Sequence, residues 1–149
     1  MTVLNIDELQ KIVDDAFPDW LVPRIESLDG DTLVIAQPVD ARNSRPGGTV
    51  AGPTMMALAD SSAWLITLAH IGPVLLAVTT SLHIDFLRKP EIADLMARAR
   101  LIKLGSRLAV VDVELFSRGS VDLVAKAQVT YSIPPPEHRR SVSLFVRDR

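Results

Sequence analysis

The chain has 149 residues and a mass of 16.3 kDa, which is the size of one domain. Folding at this length buries about 70% of the surface that the unfolded chain exposes, so a real core is within reach. Hydrophobic residues make up 48% and charged residues 23%, which excludes a disordered chain, a coiled coil and a collagen-like fibre. The absence of cysteine excludes a disulfide framework, a thiolate metal site and a cysteine nucleophile. A net charge of −2 argues against a polyanion binder held by bulk electrostatics. That charge is uneven: residues 1–60 carry ten Asp/Glu against four Lys/Arg, and residues 61–149 carry eight against twelve. The basic second half leaves room for a local anion site.

In chain order, residues 7–17 place Leu9, Ile12, Val13 and Phe17 at helical spacing, with Asn5 or Asp7 as cap and Pro18 as the stop. Residues 32–39 read as a strand after an Asp29-Gly30 turn, and Pro38 marks an edge or a strand end. Residues 40–52 (DARNSRPGGTVAG) are polar and glycine-rich, and predict a loop. Pro53 then opens a long helix over residues 54–69, apolar on nearly all sides and stopped by Gly72-Pro73. Four strands follow at 75–87, 95–104, 109–117 and 123–133, joined by connections short enough for an antiparallel meander. Pro134-Pro135-Pro136 ends the packed domain, and residues 141–146 read as an edge strand or a docking tail.

A helix that is apolar all round needs more cover than a flat sheet gives. The expected fold class is therefore α+β, a curved antiparallel sheet wrapped around one long central helix. The whole of 1–149 reads as a single domain: an N-terminal helix within 1–19, a core over about 20–134, and a C-terminal extension over 135–149. The most apolar stretch, 53–82, is interrupted by Asp60, His70 and Gly72-Pro73, short of a membrane span. The acidic N-terminus lacks the basic region of a signal peptide, so the expected location is the cytoplasm.

Asp60 is the most informative residue. It lies about two turns into the apolar helix, near Met56, Ala57, Ala63 and Trp64. An ionised carboxylate there is costly unless it is paired or faces a cavity. It reads either as a structural acid bonded to a hydroxyl or as a general base. Gly47, Gly48 and Gly52 allow close backbone approach in the loop that feeds this helix, and the N–H groups at the helix start favour negative charge. A substrate carbonyl placed there meets an oxyanion hole; equally, the glycines make a sharp turn. Gly47 and Gly52 have the spacing of a phosphate-binding loop, but Pro53 stands where its lysine belongs, which excludes nucleoside triphosphate chemistry. His70, His83 and His138 have no metal-ligand spacing, so no metal is expected, and no serine-nucleophile elbow occurs. Arg88, Lys89 and Arg107 fall near predicted strand ends, where they either hold a phosphorylated ligand or form a solvated rim.

Taken in order, RPGGTVAGPTMMALAD, TTSLHIDFLRKP and LIKLGSRLAVVDVELFSRGSVDLVAKAQVTYSI resemble the PaaI-type hotdog-fold acyl-CoA thioesterases over about residues 30–134. The resemblance implies the hotdog fold and hydrolysis of a small, medium-chain or aryl acyl-CoA, with the coenzyme A ester as substrate and no cofactor. It also implies a homodimer or homotetramer with the site at the subunit interface. By the same resemblance Asp60 is the general base or nucleophile, the Gly52 N–H polarises the thioester carbonyl, and Thr79 helps place the attacking water. Arg88, Lys89 and Arg107 match positions near the coenzyme A phosphates. Pocket size would follow from Met55, Met56, Trp64 and Leu65, with Met56 and Trp64 touching substrate. The chain departs from the family loop, which reads His-Gly-Gly where this one reads Ala51-Gly52-Pro53. The loop asparagine is replaced by Arg45, a substrate-contact candidate, with Asn43 two positions away to take its role. The missing histidine argues against a hotdog dehydratase. It also motivates the alternative of a non-catalytic acyl-CoA-binding protein on the same fold.

Overall fold

The computed structural model describes residues 1–139. The edge strand or tail expected at 141–146 lies outside the described residues. Helix α1 spans Ile6–Ala16, with Asn5 as its cap: the Asn5 side chain accepts from the Glu8 N–H and the Glu8 carboxylate accepts from the Asn5 N–H. Strands β1 (Arg24–Asp29) and β2 (Thr32–Gln37) form a hairpin, whose turn uses Gly30 at φ +60. Residues 40–52 contain one further antiparallel ladder, β3 (Ser44–Arg45) with β4 (Thr49–Val50). Helix α2 then runs Gly52–Ile71, and β5 (Val78–Phe86), β6 (Leu95–Leu104), β7 (Leu108–Ser117) and β8 (Leu123–Ser132) follow. A short 3₁₀ turn, Pro136–His138, comes after β8.

The six long strands make one antiparallel sheet in the order β1-β2-β6-β7-β8-β5. β6, β7 and β8 form the expected meander, but β5 does not pair with β6. It pairs with β8 at the far edge, because the connection from Leu87 to Asp94 crosses over β8 and β7 before β6 begins. β1 was not expected from the sequence. RIESLD half-buries only Ile25 and Leu28, and a bulge between Ile25 and Ser27 breaks the alternation.

The concave sheet face buries Leu33 and Ile35 of β2, Ala97 and Ala99 of β6, Val111, Val113 and Leu115 of β7, and Ala125, Ala127 and Val129 of β8. The alanines on β6 and β8 carry no bulk beyond Cβ, so α2 can lie close across the sheet centre. Along α2, Leu58, Ala59, Ala63, Leu65, Ile66 and Leu68 are buried. Its two buried hydroxyls, Ser62 and Thr67, bond back to the carbonyls of Ala59 and Ala63. Gly72, at φ +93, ends the helix and donates its N–H to the Leu68 carbonyl. Among the described residues no helix is long and apolar enough to cross a membrane.

Candidate functional site

The sheet covers most of α2 but leaves one face of its N-terminal half open. There Pro53, Met56 and Ala57 are exposed and Asp60 is half-buried. Asp60 turns toward the edge strand. Its Oδ1 accepts from Thr79 Oγ1 of β5 at 2.6 Å and from the Tyr131 hydroxyl of β8 at 2.7 Å. Thr79 and Tyr131 are cross-strand partners, so the register of β5 on β8 sets two donors side by side beneath the acid. Among the described residues Oδ2 receives no hydrogen bond and no cation forms an ion pair with Asp60. The carboxylate thus has one anchored oxygen and one open oxygen. Tyr131 is buried. Burial, opposed by a hydrogen bond with Thr79 and reinforced by the Asp60 charge, pushes its phenol well above the ordinary tyrosine range. Tyr131 therefore stays protonated, and a donor, at any working pH.

The start of α2 forms a second feature. Ala51 holds an extended conformation, and its N–H donates to the Asn43 carbonyl at 2.8 Å. The N–H of Gly52 lies in the first helical turn, where no intrahelical acceptor exists. A recess of about 470 Å³ lies at this helix start, lined by Arg45, Gly52, Met55, Phe86, Arg88 and Lys89 among others. Thr49 Oγ1 donates to the Pro90 carbonyl and ties the β3–β4 loop to the segment that carries Arg88 and Lys89. Three cations and a helix N-terminus thus converge on one concavity, an arrangement suited to an anion.

On the other flank of α2 lies a cleft of about 420 Å³, lined by Phe17, Trp20, Leu21, Asn43, Ala57, Ser61 and Trp64 among others. Phe17 stands edge-on to Trp64 at 6.1 Å between ring centroids and lies 5.2 Å from Trp20. Asp60 lines neither the cleft nor the recess, although its helical neighbours Ala57 and Ser61 line the cleft.

Of the residues singled out by sequence, Asp60 and Thr79 meet, Gly52 joins Arg45, Arg88 and Lys89, and Trp64 lines the aromatic cleft. Met56 lies exposed on the Asp60 face and lines neither cavity. The Asn43 side chain accepts from the Asp40 N–H and closes a local turn, so its polar end is engaged in shaping the loop. Arg107 does not join Arg88 and Lys89. The register puts Leu108 opposite Ser132 and Ser132 opposite Val78, so Arg107 lies at the start of β5 while Arg88 lies beyond its end. The length of β5 from Val78 to Phe86 separates them by about 26 Å. The Arg107 guanidinium donates instead to the Ile133 carbonyl. Sequence reasoning missed Tyr131, Phe17 and Trp20. Tyr131 left one trace: it is the chain's only tyrosine and sits in an inward-facing series of β8, where a buried hydroxyl needs a partner. Among the described residues, no group of three or more His, Cys, Asp or Glu side chains is arranged to hold a metal.

This architecture has relatives. The family model of the thioesterase superfamily matches residues 47–124. A solved structure from Silicibacter sp. TM1040, assigned as a thioesterase, is 45% identical with a TM-score of 0.84, covering 91% of this chain and 95% of that one. The phenylacetic acid degradation protein PaaI of Thermus thermophilus, solved as a point mutant, is 32% identical with a TM-score of 0.68, covering 80% of this chain and 99% of that one. A Thermoplasma acidophilum protein assigned as an esterase is 25% identical over 128 residues, covering 85% of this chain and 96% of that one. The chain belongs to the thioesterase superfamily, has its hotdog fold, and is a thioester hydrolase.

Proposed function

We propose that the protein hydrolyses acyl-CoA thioesters at a site built around Asp60 and shared between two copies of the chain. The observation that carries this reading is the Asp60 carboxylate, anchored through Oδ1 by Thr79 and Tyr131 with Oδ2 left open. Oδ2 deprotonates a water that attacks the thioester carbonyl, or attacks that carbonyl itself. The Gly52 N–H stabilises the developing oxyanion, the tetrahedral centre collapses, and coenzyme A leaves as its thiolate, which takes the proton that Asp60 removed from water; on the direct route water then hydrolyses the acyl–Asp60 anhydride, releasing the carboxylic acid, freeing Asp60 and supplying the thiolate's proton. Arg45, Arg88 and Lys89 hold the phosphates of the coenzyme, and the aromatic cleft beside Trp64 takes the acyl group. No step needs a cofactor, and the cytoplasm is the proposed setting.

One chain does not suffice. Gly52 and Asp60 are eight residues apart on one helix, which separates them by about 12 Å along its axis. A reacting carbonyl must lie about 3 Å from both the oxyanion donor and the attacking group. The two requirements are met together when Gly52 of one copy faces Asp60 of another.

The test is thiol release over a panel of short, medium-chain and aryl acyl-CoA esters, with wild type beside Asp60→Asn. Asn keeps the size and the anchoring hydrogen bonds but loses the base. Turnover should fall by about 10²–10⁴-fold with the melting temperature nearly unchanged. Wild-type rates in the variant would overturn the role of Asp60. Tight coenzyme A ester binding without thiol release from the wild type would favour the non-catalytic reading.

A further inference from the structure

We infer that Tyr131 is a positioning residue for the Asp60 carboxylate. Its hydroxyl fixes which carboxylate oxygen works. This rests on the thioesterase reading above and gives one of its two anchors a role the other does not share.

The geometry is specific. Tyr131 is 4% exposed, its ring is part of the core, and its hydroxyl lies 2.7 Å from Asp60 Oδ1 and 3.1 Å from the Asp60 backbone oxygen. The single hydroxyl proton goes to the nearer acceptor, the charged oxygen, where the bond is stronger. Thr79 Oγ1 donates to that same oxygen from the exposed side of the site. Two donors on Oδ1 leave Oδ2 as the less stabilised and more basic oxygen, and they lock the plane of the carboxylate. The two anchors differ in kind. Thr79 is exposed on an edge strand, whereas Tyr131 rises from the buried floor of the sheet. Its ring packing limits its movement, and its phenol stays protonated across the working range. Tyr131 thus supplies the rigid reference against which the acid is aimed.

Tyr131→Phe removes one oxygen and keeps the ring in the core. The prediction is a loss of about ten- to a hundredfold in kcat with KM within about twofold, the size expected for one hydrogen bond to a charged group. Unchanged kcat in Tyr131→Phe, where Asp60→Asn abolishes turnover, overturns the positioning role and leaves the thioesterase reading standing. Unchanged turnover in Asp60→Asn overturns both. A second measurement does not depend on how well the Phe variant folds. Tyr131 is the only tyrosine in the chain, so ring labelling gives a single tyrosine Cζ resonance. That resonance reports the hydrogen bond that the phenol donates to the Asp60 carboxylate. Asp60→Asn, which removes the charge, and Asp60→Ala, which removes the acceptor, should each displace it, Asp60→Ala further. A resonance that keeps its wild-type position in Asp60→Ala overturns the proposal.

Discussion

At the residue scale, the proposed reaction gives Gly52 and Asp60 different parts. In it Asp60 contributes a side chain and Gly52 contributes a backbone N–H. The role of a backbone donor is hard to test, because most substitutions leave it in place. Here the sequence offers a way. Gly52 occupies the first turn of α2, where proline is well tolerated because the N–H makes no helical bond. Ala51 already has φ −68 and ψ 143, the conformation that the residue before a proline requires. Beyond its chain neighbours, a Cβ at position 52 would meet the Phe86 ring, at 3.8 Å, which is ordinary contact. Gly52→Pro should therefore delete the donor, and Gly52→Ala, which sets a Cβ beside the Pro53 ring but keeps the donor, is its control. We expect kcat to fall by about 10²–10³-fold, the usual cost of one lost oxyanion donor, with a melting curve close to wild type. Full activity in thiol release would show that Gly52 stabilises nothing in the transition state.

At the scale of elements, the long helix, the β6–β8 meander and the acid on α2 were legible in the sequence because each has a local cause. β6, β7 and β8 fall within a residue of their expected bounds, since alternating burial and glycine-containing turns define them without reference to the rest of the chain. The partner of β5 was not legible. Its nine residues fit either neighbour by pattern, and a crossover of eight residues is long enough to reach past two strands. Arg107 was misplaced for the same reason, because direction and register are properties of the pairing. The aromatic cleft was hidden too: Phe17 and Trp20 follow α1, far in sequence from Trp64. That cleft yields a prediction about α1 and the segment after it. Trp20 is 72% exposed and contributes one wall, so Trp20→Ala should leave folding almost untouched. It should raise KM for aryl and medium-chain esters about tenfold while leaving acetyl-CoA nearly unchanged, since removing an aromatic wall costs on the order of 1–2 kcal/mol of contact with a bulky acyl group only. An equal effect on every ester would place the acyl group elsewhere.

At the scale of the whole molecule, the two edges of the sheet are unlike. Both edge strands carry a bulge, but β1 is the shorter at six residues and bears Arg24, Glu26 and Asp29, charges that discourage pairing with another chain. β5 is a nine-residue edge flanked by exposed apolar side chains, with Val78 at 55%, Phe86 at 50% and Leu87 at 54% exposure, and Met56 on α2 at 42%. In the proposed dimer, a second copy docked edge to edge through β5 about a two-fold axis would cover these groups and bring the two α2 helices together. Met56 lies midway between Gly52 and Asp60, so an antiparallel pairing of the helices centred near Met56 sets Gly52 of each copy beside Asp60 of the other. This arrangement makes a prediction that no single-chain site can meet. Gly52→Pro and Asp60→Asn should each be nearly inactive. In a hybrid dimer, one site combines the intact Asp60 of the first variant with the intact Gly52 of the second, while the other site carries both lesions. Random exchange of equal amounts makes about half the dimers hybrid, each with one working site, so the mixture should recover about one quarter of wild-type activity. Recovery should grow at the rate of subunit exchange and vanish when exchange is blocked by cross-linking each variant beforehand. A mixture that stays as inactive as its components, despite exchange demonstrated by light scattering on size-tagged chains, would place Gly52 and Asp60 in separate roles within one protomer.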